Sequence, residues 1–394
     1  MLEKFTPAKA DPILGLGKLF TSDERTGKID LGVGVYKDPT GNTPIMTAVR
    51  KAEKYLHESQ ISKAYKGLAG DEVFRDKIRE LVLGDSVEAG RVATLQTPGG
   101  TGAIRQLYEV IRQLNPGATI WISDPTWPSH LAMAAAMDLK TAGYTYFDPD
   151  TRMVDFDAMM ADLAGMNPGD ILLLHACCHN PTGFDLSAEQ WQAVLEIVKA
   201  RELLPLVDFA YQGFGNGIDE DAYGARLLAE NLGEVLITQS CSKNFGIYRE
   251  RTGCFIAVAA DTEAMEDVRS QLAITARENY SNPPAHGSAI VATIFNDAEL
   301  YALWHDELAE MRGRINELRQ KFVQGLEPHG LAERFAHVAQ QRGMFSYTGL
   351  SKDQVETLRD EHSIYMVGSG RANVAGLNDA NMEYVCNAIA SVVK

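Results

Sequence analysis

Five short, nearly unbroken apolar runs punctuate the middle of the chain: Thr119–Ser123, Ile171–Cys177, Leu206–Asp208, Val235–Thr238 and Cys254–Val258. A strand with one wet face alternates apolar and polar residues, so runs without alternation suit strands covered on both faces. Two of them stop at prolines, in Asp124-Pro125 and Asn180-Pro181. Between the runs the period changes. Ile104, Leu107, Tyr108, Ile111 and Leu114 recur at helical spacing until Asn115-Pro116-Gly117 ends the series. Ser187 suits the N-cap of a helix carrying Leu195 and Val198. The alternation predicts an α/β domain with a mostly parallel sheet flanked by helices. Further on, Leu300, Trp304, Leu308, Met311, Ile315, Leu318 and Phe322 step by three and four, which predicts one long amphipathic helix. Tyr347, Tyr365-Met366-Val367 and a last helix after Asn378 then suit a smaller α+β unit.

Composition narrows the class. The chain has 394 residues, 45% hydrophobic and 23% charged, enough for more than one domain and a large core. We expect a large domain over 41–311 and a small domain built from 1–40 and 312–394. The formal net charge of −16 speaks against a general surface for nucleic acid or anionic membrane. No apolar stretch is long enough to span a bilayer. The five cysteines, Cys177, Cys178, Cys241, Cys254 and Cys386, have no framework spacing. Met1-Leu2-Glu3-Lys4-Phe5-Thr6 does not read as the charged and apolar regions of a secretory leader, so none is expected. These features suit a soluble, cytoplasmic enzyme.

The chemistry concentrates on Lys243, in Ser240-Cys241-Ser242-Lys243-Asn244-Phe245-Gly246 directly after the Val235 run. An amine at the end of a buried strand, flanked by hydroxyls, suits bonding to a phosphorylated aldehyde such as pyridoxal 5'-phosphate. That cofactor also needs an acid for its ring nitrogen. Asp208, at the end of Leu206-Val207, is the candidate acid, since a buried carboxylate needs a partner, although a strand-end Asp also suits the capping of a turn. Tyr211 and Asn180 can donate to the ring's phenolic oxygen. Gly99-Gly100-Thr101-Gly102 opens the helix of Ile104, so its amides and the Thr101 hydroxyl suit a phosphate. Ser240, Ser242 and Arg251 bring hydroxyls and a cation. Trp127 follows a strand end and can stack on a ring or enter the core. Arg371, in Gly370-Arg371-Ala372-Asn373-Val374-Ala375-Gly376, and Arg277, before Asn279-Tyr280-Ser281-Asn282, remain for substrate carboxylates.

With these motifs the chain resembles, end to end, the class I aminotransferases of PLP fold type I, and among them the bacterial aspartate and aromatic amino-acid enzymes. The likeness runs from Asp11-Pro12-Ile13-Leu14-Gly15-Leu16 through Gly32-Val33-Gly34-Val35-Tyr36-Lys37-Asp38 to Asn373-Val374-Ala375-Gly376. It implies that Lys243 bonds the cofactor and Asp208 pairs with its ring nitrogen. Tyr211 and Asn180 would meet the phenolic oxygen and Trp127 the ring face. Gly100, Thr101, Ser240, Ser242 and Arg251 fall at phosphate positions, and Tyr65 would reach the phosphate of a neighbouring subunit. Arg371 would take the substrate α-carboxylate beside the Gly34 backbone, with Trp127 and Asn180 also near the substrate. Arg277, reaching across from the neighbouring subunit, would meet a substrate side-chain carboxylate, so a homodimer with two composite sites is implied. The resemblance also implies cis peptides at Asp124-Pro125 and Asn180-Pro181.

The expected reaction is ping-pong transamination between L-aspartate, with aromatic amino acids as further donors, and 2-oxoglutarate. Its partners are amino acids and 2-oxo acids. Val35, Lys37, Thr43, Thr101 and Asn282 are of the aspartate-preferring type, whereas Ala64 departs from the asparagine usual there. An aromatic main activity and another PLP reaction such as β-elimination stand as alternatives. Gly213-Phe214-Gly215-Asn216-Gly217 lacks the strand, spacing and acid of a dinucleotide site. His175-Ala176-Cys177-Cys178-His179 suggests metal ligands, but adjacent strand residues face opposite ways, so no metal is expected.

Overall fold

The computed structural model of the chain describes residues 2–6 and 12–393. Asp11, the first residue of the motif at 11–16, lies outside them. The chain divides into two compact units, one formed by Pro44–Gly313 and the other by Met1–Thr43 with Arg314–Lys394.

The larger unit is built on seven strands: β1 (Val92–Pro98), β2 (Thr119–Asp124), β3 (Lys140–Thr145), β4 (Ile171–His175), β5 (Leu204–Phe209), β6 (Val235–Ser240) and β7 (Thr252–Val258). Their order across the sheet is β1-β7-β6-β5-β4-β2-β3. The strands from β6 to β3 pair in parallel, whereas β7 runs antiparallel to both its neighbours. All residues of β6 and β7 are buried, as their unbroken apolar character requires. The expected run Ile171–Cys177 is shorter than predicted, ending at His175. The amides of Cys178 and His179 turn instead to the Asp185 carboxylate, at 2.8 and 2.9 Å. Two strands escaped the sequence pattern. β1 carries buried Gln96 and Thr97, and β3 is a polar edge strand beginning at Lys140.

Helix α1 (Gly99–Leu114) lays Ala103, Ile104, Leu107, Tyr108 and Ile111 into a core shared with Leu95, Ile120 and Phe255. Leu114, expected on the same face, is the last helical residue and is exposed. Helix α2 (Pro128–Ala135) starts at proline, whose fixed φ suits the first helical position. The predicted long helix is α3 (Ala298–Gly325), and all seven of its periodic apolar residues are buried. The division between the units falls inside it. Near its start, Trp304 stacks on Phe245 at 4.7 Å and donates from Nε1 to the Asn244 carbonyl at 2.7 Å. That contact fixes the turn that carries Lys243.

The smaller unit pairs Ile29–Asp30 with Ile364–Tyr365 in parallel, and β8 (Phe345–Tyr347) with β9 (Arg371–Asn373) antiparallel. Helix Met382–Val393 follows Asn378 as expected. The turn after helix Pro12–Ser22 is tied down by polar contacts. Tyr365 donates to Asp23, and Arg25 donates to the carbonyls of Arg359 and Asp360.

The sheet and α1 meet most closely at Gly253 on β7. A Cβ there would lie 2.5 Å from the Gly99 carbonyl carbon, 2.7 Å from the Gln239 oxygen and 2.8 Å from the Gly100 nitrogen. All three are backbone atoms, so no rotamer change relieves the clash. Gly253→Ala is expected to cost about 1–3 kcal/mol, as overpacking does, measurable by denaturant unfolding against the parent chain.

Candidate active site

The parallel strands deliver their polar residues to one end of the sheet. Asp208 is the penultimate residue of β5, with neighbours His175 on β4 and Thr238 on β6 in direct register. Its Oδ1 accepts from the Thr238 hydroxyl at 3.0 Å, and its Oδ2 lies 3.1 Å from His130 Nε2. Burial pushes the Asp208 carboxyl upward, but His130, His175 and the Thr238 hydrogen bond outweigh it and hold the group below its ordinary value. Thr126 Oγ lies 2.9 Å from His130 Nδ1 and so orients that ring. Trp127 meets His130 edge-on, 5.3 Å between centroids, and is half-buried, packed against the edge of the core.

Lys243 lies three residues beyond β6, where the Gly246 amide donates to its carbonyl at 3.0 Å and closes a turn. Its Nζ stands 5.2 Å from the centre of the Tyr211 ring. Burial lowers the amine to about 8, with Arg251 acting the same way and Asp208 opposing both. Asn180 and Tyr211 are buried, at 6% and 7% exposure. Both Asp124-Pro125 and Asn180-Pro181 are cis.

Helix α1 begins without any side chain capping its first amides, since its N-cap is Pro98. Those donors therefore lack an internal partner. A Cβ on Gly99 would meet the Arg251 guanidinium at 2.6 Å, and one on Gly100 would meet the Ser240 Cβ at 3.0 Å. Glycine alone lets the helix start, Ser240 and Arg251 come this close. Arg251 adopts a left-handed φ of 51° and donates to the Tyr248 carbonyl at 2.9 Å. Ser240 Oγ accepts from the Ser242 amide at 3.2 Å. Uncapped amides beside hydroxyls and a guanidinium form an anion cradle.

A family resolves these features: the description "aminotransferase class I and II" matches residues 26–389. The chain belongs to the class I and II aminotransferases. The aromatic-amino-acid aminotransferase of Pseudomonas aeruginosa is 53% identical to it over 392 residues, covering 99% of this chain and 98% of that one. The aspartate aminotransferase of Escherichia coli K12 is 46% identical over 396 residues, the full length of both. Among solved structures, the aromatic-amino-acid aminotransferase of Burkholderia pseudomallei, covalently bound to pyridoxal phosphate, superposes with a TM-score of 0.97 at 44% identity over the full length of both.

Within this aminotransferase, Lys243, Asp208, Tyr211, Asn180, Trp127, Thr101, Gly100, Ser240, Ser242 and Arg251 all belong to the larger unit. So do Tyr65 and Arg277, but both are exposed, Tyr65 at 88%. Arg277, near the end of helix Met265–Asn279, donates to the Ser281 hydroxyl. Arg371 and Gly34 belong to the smaller unit, where Arg371 donates to the Gly32 carbonyl at 2.9 Å.

The sequence did not single out His130 or Thr238 as partners of Asp208. His130 is remote in sequence and carries no motif, and only the strand order brings them together.

The reason for setting a metal aside also needs correcting. Cys177 and Cys178 lie beyond the strand, Cys178 has a left-handed φ of 51°, and their sulfurs gather with an Asp221 carboxylate oxygen within 4.8 Å. Asp221 is occupied by the loop it shapes, accepting the amides of Gly213, Gly215 and Asn216. Burial pushes the Cys177 thiol well up.

His175 gives the acid response of this site its sign. Burial and the nearby His130 lower it from the ordinary 6.5 to about 3, against a weaker pull upward from Asp208. The unfolded chain thus binds a proton that the folded chain refuses, and stability falls as pH drops from about 6.5 towards 3. His179, also pushed down by burial, acts in the same direction. A His175→Asn variant is expected to lose stability less steeply over that window, read from urea midpoints at successive pH values.

Proposed function

We propose that this aminotransferase uses pyridoxal 5'-phosphate to move an amino group from L-aspartate, and from aromatic amino acids, to 2-oxoglutarate. The observation that carries the reading is the Lys243 amine, 5.2 Å from the Tyr211 ring centre and lowered to about 8. It feels the charge of Asp208, a buried carboxylate bonded to Thr238 and His130 and held below its ordinary value. The residues fit the cofactor in three ways. The uncapped glycine start of α1 suits its phosphate, Asp208 suits a protonated ring nitrogen, and the Lys243 amine suits its aldehyde. The names of the relatives, aspartate and aromatic-amino-acid aminotransferase, support the substrate pair.

When bound, pyridoxal phosphate supplies an electron-withdrawing ring that stabilises negative charge at the substrate Cα. The chain does the rest. Lys243 Nζ takes the proton from Cα as general base and returns it as general acid. Asp208 stays ionised and so keeps a proton on the ring nitrogen. Tyr211 and Asn180 would donate to the phenolic oxygen, and Trp127 would hold the ring. Gly100, Thr101, Ser240, Ser242 and Arg251 bind the phosphate. Arg371, with the Gly34 amide, takes the α-carboxylate.

Arg277 and Tyr65 act across a homodimer, meeting the partner's substrate and phosphate. The exposure of Ile61, Tyr65 and Tyr55, at 101%, 88% and 58%, supports burial of this segment by a second copy. No helix among the described residues is long and apolar enough to cross a membrane. The cytoplasm is our proposed location.

The deciding experiment follows the visible band of the cofactor-loaded protein on adding L-aspartate or L-phenylalanine in separate cuvettes. Loss of the band with aspartate supports the half-reaction, and the two rates rank the substrates. A protein that shows no band after incubation with pyridoxal phosphate would overturn the reading. Lys243→Ala is expected to lower turnover at least about 1,000-fold, since it removes the proton-transfer group itself.

Cofactor capture supplies an independent test, because only the neutral amine attacks the aldehyde. With Lys243 lowered to about 8, the capture rate of apoenzyme should climb with pH and level off above that value. A rate still climbing at pH 10, measured by stopped-flow absorbance, would mean the amine is not depressed.

A further inference from the structure

The smaller unit holds a fully buried arginine whose purpose the proposed reaction does not explain. Arg319, on α3, has no exposed surface. Its guanidinium donates to the carbonyls of Gly343 and Phe345, both at 2.6 Å, to that of Val338 at 3.4 Å, and to the Ser346 hydroxyl. A buried cation is costly unless its donors are satisfied, and here several of them grip one short segment.

That segment is β8. It is three residues long and, among the described residues, pairs only with β9, in the register Phe345↔Asn373, Ser346↔Ala372 and Tyr347↔Arg371. An isolated two-stranded ladder is marginal by itself. Arg319 supplies the missing anchor, holding the carbonyls on either side of Met344 and the hydroxyl that follows Phe345.

The anchored ring faces the carboxylate-binding group proposed above. Phe345 and Arg371 are diagonal neighbours across the ladder, close enough for long side chains to meet. The Arg371 guanidinium carbon lies 4.1 Å from the Phe345 ring centre. On another side the ring fills the place where Gly34 lacks a Cβ, since such an atom would lie 2.7 Å from Phe345 Cζ. The loop around Gly34 is gripped from β9 as well. Arg371 donates to Gly32 O, and Asn373 Nδ2 donates to Val33 O at 2.6 Å and Val35 O at 2.7 Å. One ring therefore touches both groups assigned to the α-carboxylate.

We propose that Phe345, anchored through β8 by Arg319, is a positioning residue that aims Arg371 and Gly34 at the carboxylate shared by every substrate. This deepens the proposed function and rests on it for the identity of the ligand. A guanidinium lying on an aromatic face has its plane fixed while its N–H groups still point outward along its edge. Replacing the ring should therefore weaken every carboxylate substrate alike, whatever its side chain.

The test compares holoenzyme carrying Phe345→Leu or Arg319→Lys with the parent. Lysine keeps the buried charge but cannot span the same set of acceptors. Phe345→Leu should raise KM about ten-fold for L-aspartate, L-phenylalanine and 2-oxoglutarate together, with kcat changed far less. Arg319→Lys should shift the same three KM values in the same direction. Maleate, a non-reacting dicarboxylate, should bind more weakly to both variants by calorimetry, which reports the cradle without turnover. Should Arg319→Lys fail to fold, Phe345→Leu still decides the matter. A fall in kcat with KM and maleate affinity unchanged would mean a merely structural role and overturn the proposal. So would a KM rise confined to one substrate, or a parent enzyme that binds no maleate. A parent that binds maleate yet transfers no amino group would instead overturn the proposed function.

Discussion

A carboxylate that stays charged while buried is the constraint from which the rest of the larger unit follows. Taking Asp208 out of water favours its neutral form. The His130 ring beside it, the nearby His175 and the Thr238 hydroxyl reverse that preference. The two hydrogen-bonding partners each have their own requirement. Thr238 must come from the adjacent strand in register, and His130 must come from a helix that starts just after a strand end, with Thr126 fixing its ring. The same dry environment that disfavours the Asp208 anion also disfavours the Lys243 cation. One is rescued by neighbours and the other is left neutral more easily. A base and a fixed negative charge therefore coexist, each within the other's electrostatic reach.

Close approach is the second theme, and it is made by absence of side chains. At Gly253 backbone meets backbone, and at Gly99 backbone meets a guanidinium, closer than an added Cβ would allow, while Gly100 sits tightly against the Ser240 side chain. The helix start can then present its amides with nothing of its own in the way. In the smaller unit the device is reversed. There a ring fills the place left empty at Gly34, and a buried cation replaces the additional strands that would normally stabilise so short a ladder.

Much of this was legible in the residues. The unbroken apolar runs marked the central strands because both faces of the sheet are covered, and the steps from Leu300 to Phe322 marked one helix because all seven residues are buried. Lys243, Asp208 and the glycines carried local signatures that survive without the fold. The polar strands did not. Val92–Pro98 buries Gln96 and Thr97, and Lys140–Thr145 is an edge, so neither shows the apolar run of a central strand. His130, Arg319 and Phe345 were illegible for a different reason. Their meaning lies in what they touch across long sequence separations, and nothing in their own neighbourhoods announces it. The period-two argument for Cys177 and Cys178 failed because the strand ends two residues too early for it to apply.

All five cysteines are buried, and burial raises the thiols of Cys177, Cys241, Cys254 and Cys386. Since the thiolate is the reactive form, these sulfurs are doubly protected in the closed fold, by access and by charge. Alkylating reagents can reach them only through structural opening. The native thiols are therefore intrinsic clocks: Cys241 and Cys254 time the opening of the central sheet, while Cys386, on the last helix, times the smaller unit separately.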